Sequence, residues 1–546
     1  MYETIGEKDT RFIIVTGGVC SSIGKGVLVS SLGILLKNAG YTISVVKWDP
    51  YLNVDSGTMS PLEHGEVFVT DDGGETDLDL GHYERFLDVS LNKSSSLTAG
   101  KLFNDILHKE RAGAFLGRCI QLVPHAVDTI KQYLFTLARN TKADVIFVEI
   151  GGTVGDIEGE IFLETVRQLK RALPEGAVTL CHLSYVPYLG WANEIKTKPT
   201  QHSVMLMKKS GLIPDALFLR TDCDIDQSIR SKVALFCDVA EEAVFQLKTY
   251  TTIYKLFADL EKQGVGQIIQ KIMRIKEPRP SDLRQWNQLV ESIEQAKQSV
   301  RIGLIVKYHG SNDPYISVIE AMKAAAYAVK SSLVIEYIEA EALENNDSKA
   351  FALLNAVDGI IVPGGFDKRG FEGKVIAARF AREKDMPYLG LCLGMQVMLV
   401  EAARSLLHLP DASSTEIHPA TKNPVIAMLD EQRTIQNKGS TMRLGSYECT
   451  ILPGTRAHEA YHVDRVNERH RHRYEFNNQF KADLEGVGVV FSGVHATRNL
   501  VEIAELKEHP FMVGVQFHPE FLSRPLRPHP LFLEFFKTIV SQKVKV

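Results

Sequence analysis

The sequence predicts an α/β protein of two domains, the first organised around a parallel sheet. Three observations carry the prediction. Apolar runs of strand length alternate with stretches of helical period. Several of those runs empty into glycine turns, as strand-to-helix joints of parallel sheets do. The alternation stops once, in a proline-containing polar stretch, and then begins again. At 546 residues the chain is also too long for one core.

Residues 12–16 read as a strand, followed by a glycine-rich turn, an apolar-periodic helix over 27–38 and a second strand over 42–47. Residues 144–150 have the composition of a buried central strand, and they run straight into Gly151 and Gly152. Between about 275 and 300 the sequence becomes KEPRPSDLRQWNQLVESIEQAKQSV, two prolines ahead of a polar helical stretch, which marks the seam. Beyond it strands are predicted at 301–307, 333–338, 359–362 and 388–391, each followed by a helix or a glycine turn.

Hydrophobic residues at 45% and charged residues at 24% are those of an ordinary globular chain. A net charge of -5 gives no overall basic field, which argues against a nucleic-acid partner and makes any phosphate binding a local matter. No apolar run reaches the length of a membrane span, and the opening MYETIGEKDT lacks a signal-like apolar stretch, so a cytoplasmic protein is expected. Seven widely spread cysteines without CxxC spacing suggest neither a zinc knuckle nor a disulfide framework.

The stretch RFIIVTGGVCSSIGKGVLVSSLGILL places a glycine loop between a strand and a helix, where backbone N–H groups can hold phosphate and Lys25 can neutralise it. It is P-loop-like rather than a P-loop: the Gly18 to Gly24 spacing is one residue too long, and Gly26 stands where a magnesium-binding hydroxyl would be. Magnesium would then need oxygen donors from elsewhere, and two carboxylates suit: Asp79, in an acidic run that also reads as a solvated loop, and Glu149, at the end of VIFVEIGG. A carboxylate in such apolar company requires a metal or a lysine beside it. Lys47 and the run Lys196, Thr197, Lys198, Pro199, Thr200, Gln201 add cations and hydroxyls in strand-end or loop positions, suited either to solvation or to gripping a triphosphate.

In the second half, MPYLGLCLGMQVMLVEAARSLL is strand, sharp turn and helix, with Cys392 in a G-x-C-x-G elbow at a helix N-terminus that favours the thiolate. The expected base and its orienting acid are His518 and Glu520 in FMVGVQFHPEF, two apart and so on one side of an extended strand, although Pro519 lies between them. GIIVPGGFDKRG supplies oxyanion donors, with the amides of Gly365 and Leu393 as candidates. The run RHRHRYEFN from Arg469 reads as a basic surface patch, one arginine of which could hold a substrate carboxylate.

With these residues in place, PGGF, GLCLGMQ and HPE resemble the class I glutamine amidotransferases. VTGGVCSSIGKG, KWDPYLNVDSGTMSP, EHGEVFVTDDGGETDLDLGHYERF, EIGGTVGDIE and KTKPTQHSV resemble the amidoligase domain of the CTP synthases over nearly its whole length. The resemblance implies an amidoligase domain at 1–275, a linker at 276–299 and an amidotransferase domain at 300–546. It implies that ATP phosphorylates O4 of UTP and that ammonia from glutamine displaces the phosphate to give CTP. By matching motif, Ser22, Ile23, Gly24, Lys25, Gly26, Val27, Asp79, Lys248, Thr249 and Tyr250 would bind ATP, with Asp79 and Glu149 on magnesium. Ser21, Asp156, Ile157, Glu158, Lys196, Thr197, Lys198, Pro199, Thr200, Gln201 and Lys232 would contact UTP or CTP. Gly365, Leu393, Gly394, Met395, Gln396, Glu416 and Arg473 would surround glutamine at Cys392, His518 and Glu520. The same resemblance implies GTP activation, with Arg443 as a GTP-associated position, inhibition by CTP, and a homotetramer able to stack into filaments. Cobyrinic-acid amidating enzymes, which also join a deviant ATP loop to a glutaminase domain, are the nearest rival. KTKPTQ and the full triad argue against them. A nucleotide-controlled filament protein is a rival of another class, and the triad makes that a poor sole function.

Overall fold

Two units make up the chain, Met1–Ser56 with His82–Val290 and Gly57–Gly81 with Glu291–Val546. The computed structural model describes residues 10–307, 313–428 and 442–545. The predicted linker region holds a helix, Arg284–Glu294, and the first residues of the strand Gln298–Val306.

The first unit is built on a seven-stranded sheet in the order Val244–Lys248, Ala216–Thr221, Val178–Tyr185, Arg11–Gly17, Val145–Ile150, Ile43–Asp49, Ser96–Thr98. Every pairing in it is parallel. Phe12, Ile14, Ile146, Val148 and Ile150 share an apolar cluster with the helices Ala99–Arg111, Val127–Thr141 and Glu160–Ala172, while Ile13 and Val15, facing the other way, are equally buried. Burial on both faces is why these strands read as continuous apolar runs. After Val145–Ile150 the chain crosses to the other side of Arg11–Gly17, so the crevice at the carboxyl end of that strand is the place where such sheets take ligands.

The second unit has a nine-stranded sheet in the order Ser331–Glu339, Gln298–Val306, Gly359–Val362, Tyr388–Leu391, Met512–Val515, Leu500–Leu506, Val489–His495, Arg443–Ile451, Arg465–His472. The first five strands are parallel. The other four pair antiparallel. Two of these, RLGSYECTI and RVNERHRH, are too polar to read as apolar runs, because several buried positions, Arg443 among them, carry ion-paired side chains.

Candidate active sites

An all-parallel sheet brings the carboxyl ends of its strands to one edge, and the residues just past them meet there. Gly18 comes directly after Arg11–Gly17, and a Cβ on it would lie 1.6 Å from Ser203 Oγ, so only glycine fits. Beneath it runs a buried relay, Thr16 Oγ1 to His182 Nδ1 at 2.9 Å and His182 Nε2 to Ser203 Oγ at 2.8 Å. Burial, reinforced by the charge of Lys25, pushes His182 down to about 3 and keeps it neutral. Ser21 and Ser22 are exposed and Ile23 is buried. Gly24, at φ 103°, caps the helix Lys25–Asn38, with Gly26 and Val27 in its first turn. Lys25 Nζ donates to Gly152 O at 2.7 Å, tying the loop to the turn after Val145–Ile150.

Register places Glu149 directly beside Lys47 on the neighbouring strand. The two share a face, and Lys47 Nζ meets Glu149 Oε1 at 3.0 Å while the Tyr83 hydroxyl donates to the other oxygen. The buried carboxylate thus has the lysine its surroundings demand. Its hard oxygens also suit magnesium. Asp79 belongs to the second unit, half-buried in the first turn of Leu78–Leu87. Among the described residues no group of three or more His, Cys, Asp or Glu side chains forms a ready metal cage.

Lys196 to Gln201, expected as strand-end or loop, lead into a helix, Lys198–Lys209, with Pro199 in its first turn, a position proline suits. The helix separates the residue types. Thr197, Thr200 and Gln201 are buried, and Thr200 Oγ1 accepts from Ser184 Oγ at 2.9 Å. Lys198 is exposed and Lys196 half-buried, so lysines rather than threonines present themselves outward. Asp156, Ile157 and Glu158 form an exposed turn, with Asp156 Oδ2 accepting from Thr153 N at 2.9 Å, and Lys232 is exposed. At the end of Val244–Lys248, Lys248 pairs with Asp224 and Thr249 Oγ1 donates to Asp222 at 2.8 Å. Burial, then Asp259, pushes Tyr250 up to about 12.

In the second unit Tyr388–Leu391 and Met512–Val515 are parallel neighbours, Leu391 opposite Val515, so the chain leaves both strands side by side. Cys392 is the first residue past Leu391, its amide donating to Val515 O at 2.7 Å. Its φ of 53° and ψ of -100° turn the chain into the helix Leu393–Leu406. Both flanking glycines are required by close approach: a Cβ on Gly390 would lie 2.6 Å from the backbone of Gly394, and one on Gly394 would lie 2.2 Å from Val362 O.

The expectation of one extended strand carrying His518 and Glu520 is corrected. The strand ends at Val515, and Pro519 opens a 3-10 turn over Pro519–Leu522, because proline cannot continue a central ladder. The turn nevertheless brings His518 Nδ1 to 2.7 Å from Glu520 Oε1. A carboxylate only accepts, so Nδ1 carries the proton and Nε2 serves the sulfur. Burial opposes charge on His518, but Glu520 and the hydrogen-bonded Cys392 outweigh it and raise the imidazole to about 10. The imidazole is thus held in its protonated form beside the Cys392 sulfur.

Behind the thiol, the loop at 363–367 has its carbonyls gathered by two lysines. Lys374 Nζ donates to Pro363 O at 2.8 Å and Gly364 O at 3.4 Å, and Lys307 Nζ donates to Phe366 O at 2.6 Å and Asp367 O at 3.0 Å. Burial, then the charge of Lys307, holds the Lys374 ammonium well below its ordinary value. Lys307 and Lys374 thus fix the backbone of the loop that carries Gly365. Glu416 Oε1 accepts from Asp367 N at 3.0 Å, and burial raises its carboxyl. Leu393, Gly394, Met395 and Gln396 form the buried first turn behind Cys392, and Arg473 is half-buried just past Arg465–His472. A cavity of about 220 Å³ is lined by Cys392, His518, Gly364 and Gly365, and by Glu66 and Val67.

The surface-patch reading of Arg469 onward is overturned. Arg469 is fully buried against Asp71 at 2.6 Å, and Arg471 Nε meets Glu75 at 2.9 Å. Their partners lie some 400 residues away, in the Gly57–Gly81 segment, beyond the reach of any local pattern. Arg443 is likewise buried, its guanidinium at 3.0 Å from Glu475 and 2.6 Å from Glu502, which makes it a core ion pair rather than an outward-facing ligand group. Lys374 was missed although a signal existed: it occupies a core position on the stripe Phe371, Lys374, Ala378, Ala381, where a lysine must find acceptors.

A cysteine-triad unit joined to a parallel-sheet unit with a phosphate-type glycine loop is the make-up of an ATP-dependent amidotransferase. The family model for the CTP synthase N-terminus matches residues 11–275, and that for class-I glutamine amidotransferases matches 312–538. A CTP synthase of Dehalococcoides mccartyi is 51% identical over 526 residues, 96% of this chain and 96% of that protein. One of Bacillus subtilis is 48% identical over 533 residues, 97% of this chain and 99% of that protein. Among solved structures, the glutaminase domain of Trypanosoma brucei CTPS with bound acivicin is 37% identical, covers 44% of this chain and 94% of that one, and superposes with a TM-score of 0.42. The chain belongs to the CTP synthase family, the ligases that draw the nitrogen of CTP from glutamine.

Proposed function

We propose that the two units divide one synthesis: the second hydrolyses glutamine to glutamate and ammonia, and the first uses ATP to phosphorylate UTP at O4, from which ammonia displaces phosphate to give CTP. The observation that carries this reading is the Cys392–His518–Glu520 arrangement at the joint of two parallel strands. The Cys392 thiolate attacks the carboxamide carbon of glutamine, and the amides of Gly365 and Leu393 take the developing oxyanion. His518 gives its proton to the departing ammonia, then takes one from the water that frees glutamate. Leu393, Gly394, Met395, Gln396 and Glu416 shape the pocket, with Arg473 toward the α-carboxylate.

In the synthase unit, Ser22, Ile23, Gly24, Lys25, Gly26 and Val27 cradle the ATP phosphates, joined by Lys248, Thr249 and Tyr250. Ser21, Asp156, Ile157, Glu158, the stretch from Lys196 to Gln201 and Lys232 receive UTP. Glu149 and Asp79 would hold magnesium, which would neutralise phosphate charge. The division into a synthase domain at 1–275, a linker at 276–299 and a glutaminase domain at 300–546 is part of the reading. So are GTP activation, CTP inhibition, a cytoplasmic homotetramer and its filaments, all supported by family membership. Among the described residues no helix is long and apolar enough to cross a membrane. The test is CTP formation from UTP, ATP and magnesium with GTP present, comparing glutamine with ammonium chloride. Activity with both is expected, and glutamine hydrolysis without CTP from either would require a different acceptor.

A further inference from the structure

Cys392 has a neighbour that the triad does not account for. Gln516 is fully buried one residue past Met512–Val515, and its side-chain Nε2 lies 3.6 Å from Cys392 Sγ. Which end of the amide faces the sulfur is set by the groups around it. Tyr474 O can only accept, so at 3.1 Å it accepts a hydrogen bond from Gln396 Nε2. That nitrogen also lies 3.2 Å from Gln516 Oε1. The oxygen end of Gln516 is therefore engaged, and the NH2 end is the one turned to Cys392. The backbone is fixed as well, with Gln516 N donating to Glu502 O at 2.8 Å.

A neutral thiol accepts a hydrogen bond weakly, whereas a thiolate accepts one strongly. A rigid N–H aimed at sulfur therefore favours the ionised form over the neutral one. On another side Sγ lies 3.9 Å from Arg471 O, an acceptor that serves only the S–H state. His518 supplies the counter-charge but must also move a proton during turnover. An amide that never titrates can keep the sulfur in place while His518 passes between its two states.

We propose that Gln516 is a fourth member of the glutaminase site, donating a side-chain N–H to the Cys392 sulfur and holding it as the nucleophile, with Gln396 orienting it from behind. This rests on Cys392 being the nucleophile.

The experiment is alkylation of Cys392 by iodoacetamide as a function of pH, read by mass spectrometry of its peptide in the full-length protein, alongside glutamine turnover. Alkylation needs the thiolate but no oxyanion hole. In Gln516→Leu the profile moves to higher pH, slowing alkylation below its midpoint by about tenfold, the loss of one hydrogen bond to a charged group. The kcat for glutamine falls in parallel while KM stays nearly constant. Gln516→Glu keeps the size but sets a negative acceptor against the sulfur, so its profile moves further. It carries the test if the leucine variant does not fold. An unmoved profile in either folded variant overturns the role of Gln516. Should Cys392 of the unsubstituted protein react no faster at neutral pH than the exposed Cys20 and Cys119, the nucleophile assignment falls and this inference with it.

Discussion

His518 sits in a buried setting that disfavours charge, yet Glu520 at 2.7 Å and Cys392 raise it to about 10. The linkage has a definite sign. An imidazole raised above its ordinary value of about 6.5 contributes stability that is complete below that pH and is lost as pH rises through about 10. Glu520→Gln removes a carboxylate that sustains the shift, so the decline of the thermal unfolding midpoint between pH 7 and 10 becomes shallower. A decline as steep as in the unsubstituted protein would contradict the assignment. Cys392, His518 and Glu520 were legible in the sequence because a glycine-flanked thiol and a His-Pro-Glu have few other uses. Gln516 was not, since it is a lone polar side chain whose partner Gln396 is supplied by a distant segment.

The elements divide by what lies on their faces. Parallel strands such as Val145–Ile150 and Tyr388–Leu391 were legible because hydrocarbon covers both sides. Arg443–Ile451 and Arg465–His472 were not, because buried charge replaces hydrocarbon there. Arg443 joins three strands by bridging Glu475 in Tyr474–Phe476 and Glu502 in Leu500–Leu506. Burial, moderated by Arg443, pushes Glu475 upward, so without the arginine two carboxylates would be left in a dry interior. Arg443→Ala is expected to cost about 3–5 kcal/mol in urea unfolding. A loss below about 1 kcal/mol would show that the network is not what ties these strands together. The helix Lys198–Lys209 also escaped the sequence reading, since Lys-Pro-Thr resembles loop chemistry until Pro199 is seen to open the first turn.

At the scale of the whole chain, composition suggested a seam near 276–299 but gave no sign that Gly57–Gly81 belongs to the second unit. That segment is held by Arg469 and Arg471 through carboxylates remote in sequence. The two units carry different chemistries, so their defects should separate. Lys25→Ala, which removes the cation at the glycine loop, is expected to abolish CTP formation from glutamine and from ammonium alike, because activation of UTP precedes either amination. Normal ammonium-dependent turnover in that variant would move the ATP site elsewhere.

The division of labour itself is tested most directly by CTP formation in Cys392→Ala. The account predicts that glutamine no longer supports the reaction while ammonium chloride still does, since the thiolate serves only the release of ammonia. Loss of both activities in the folded variant, or survival of the glutamine-dependent one, would contradict it.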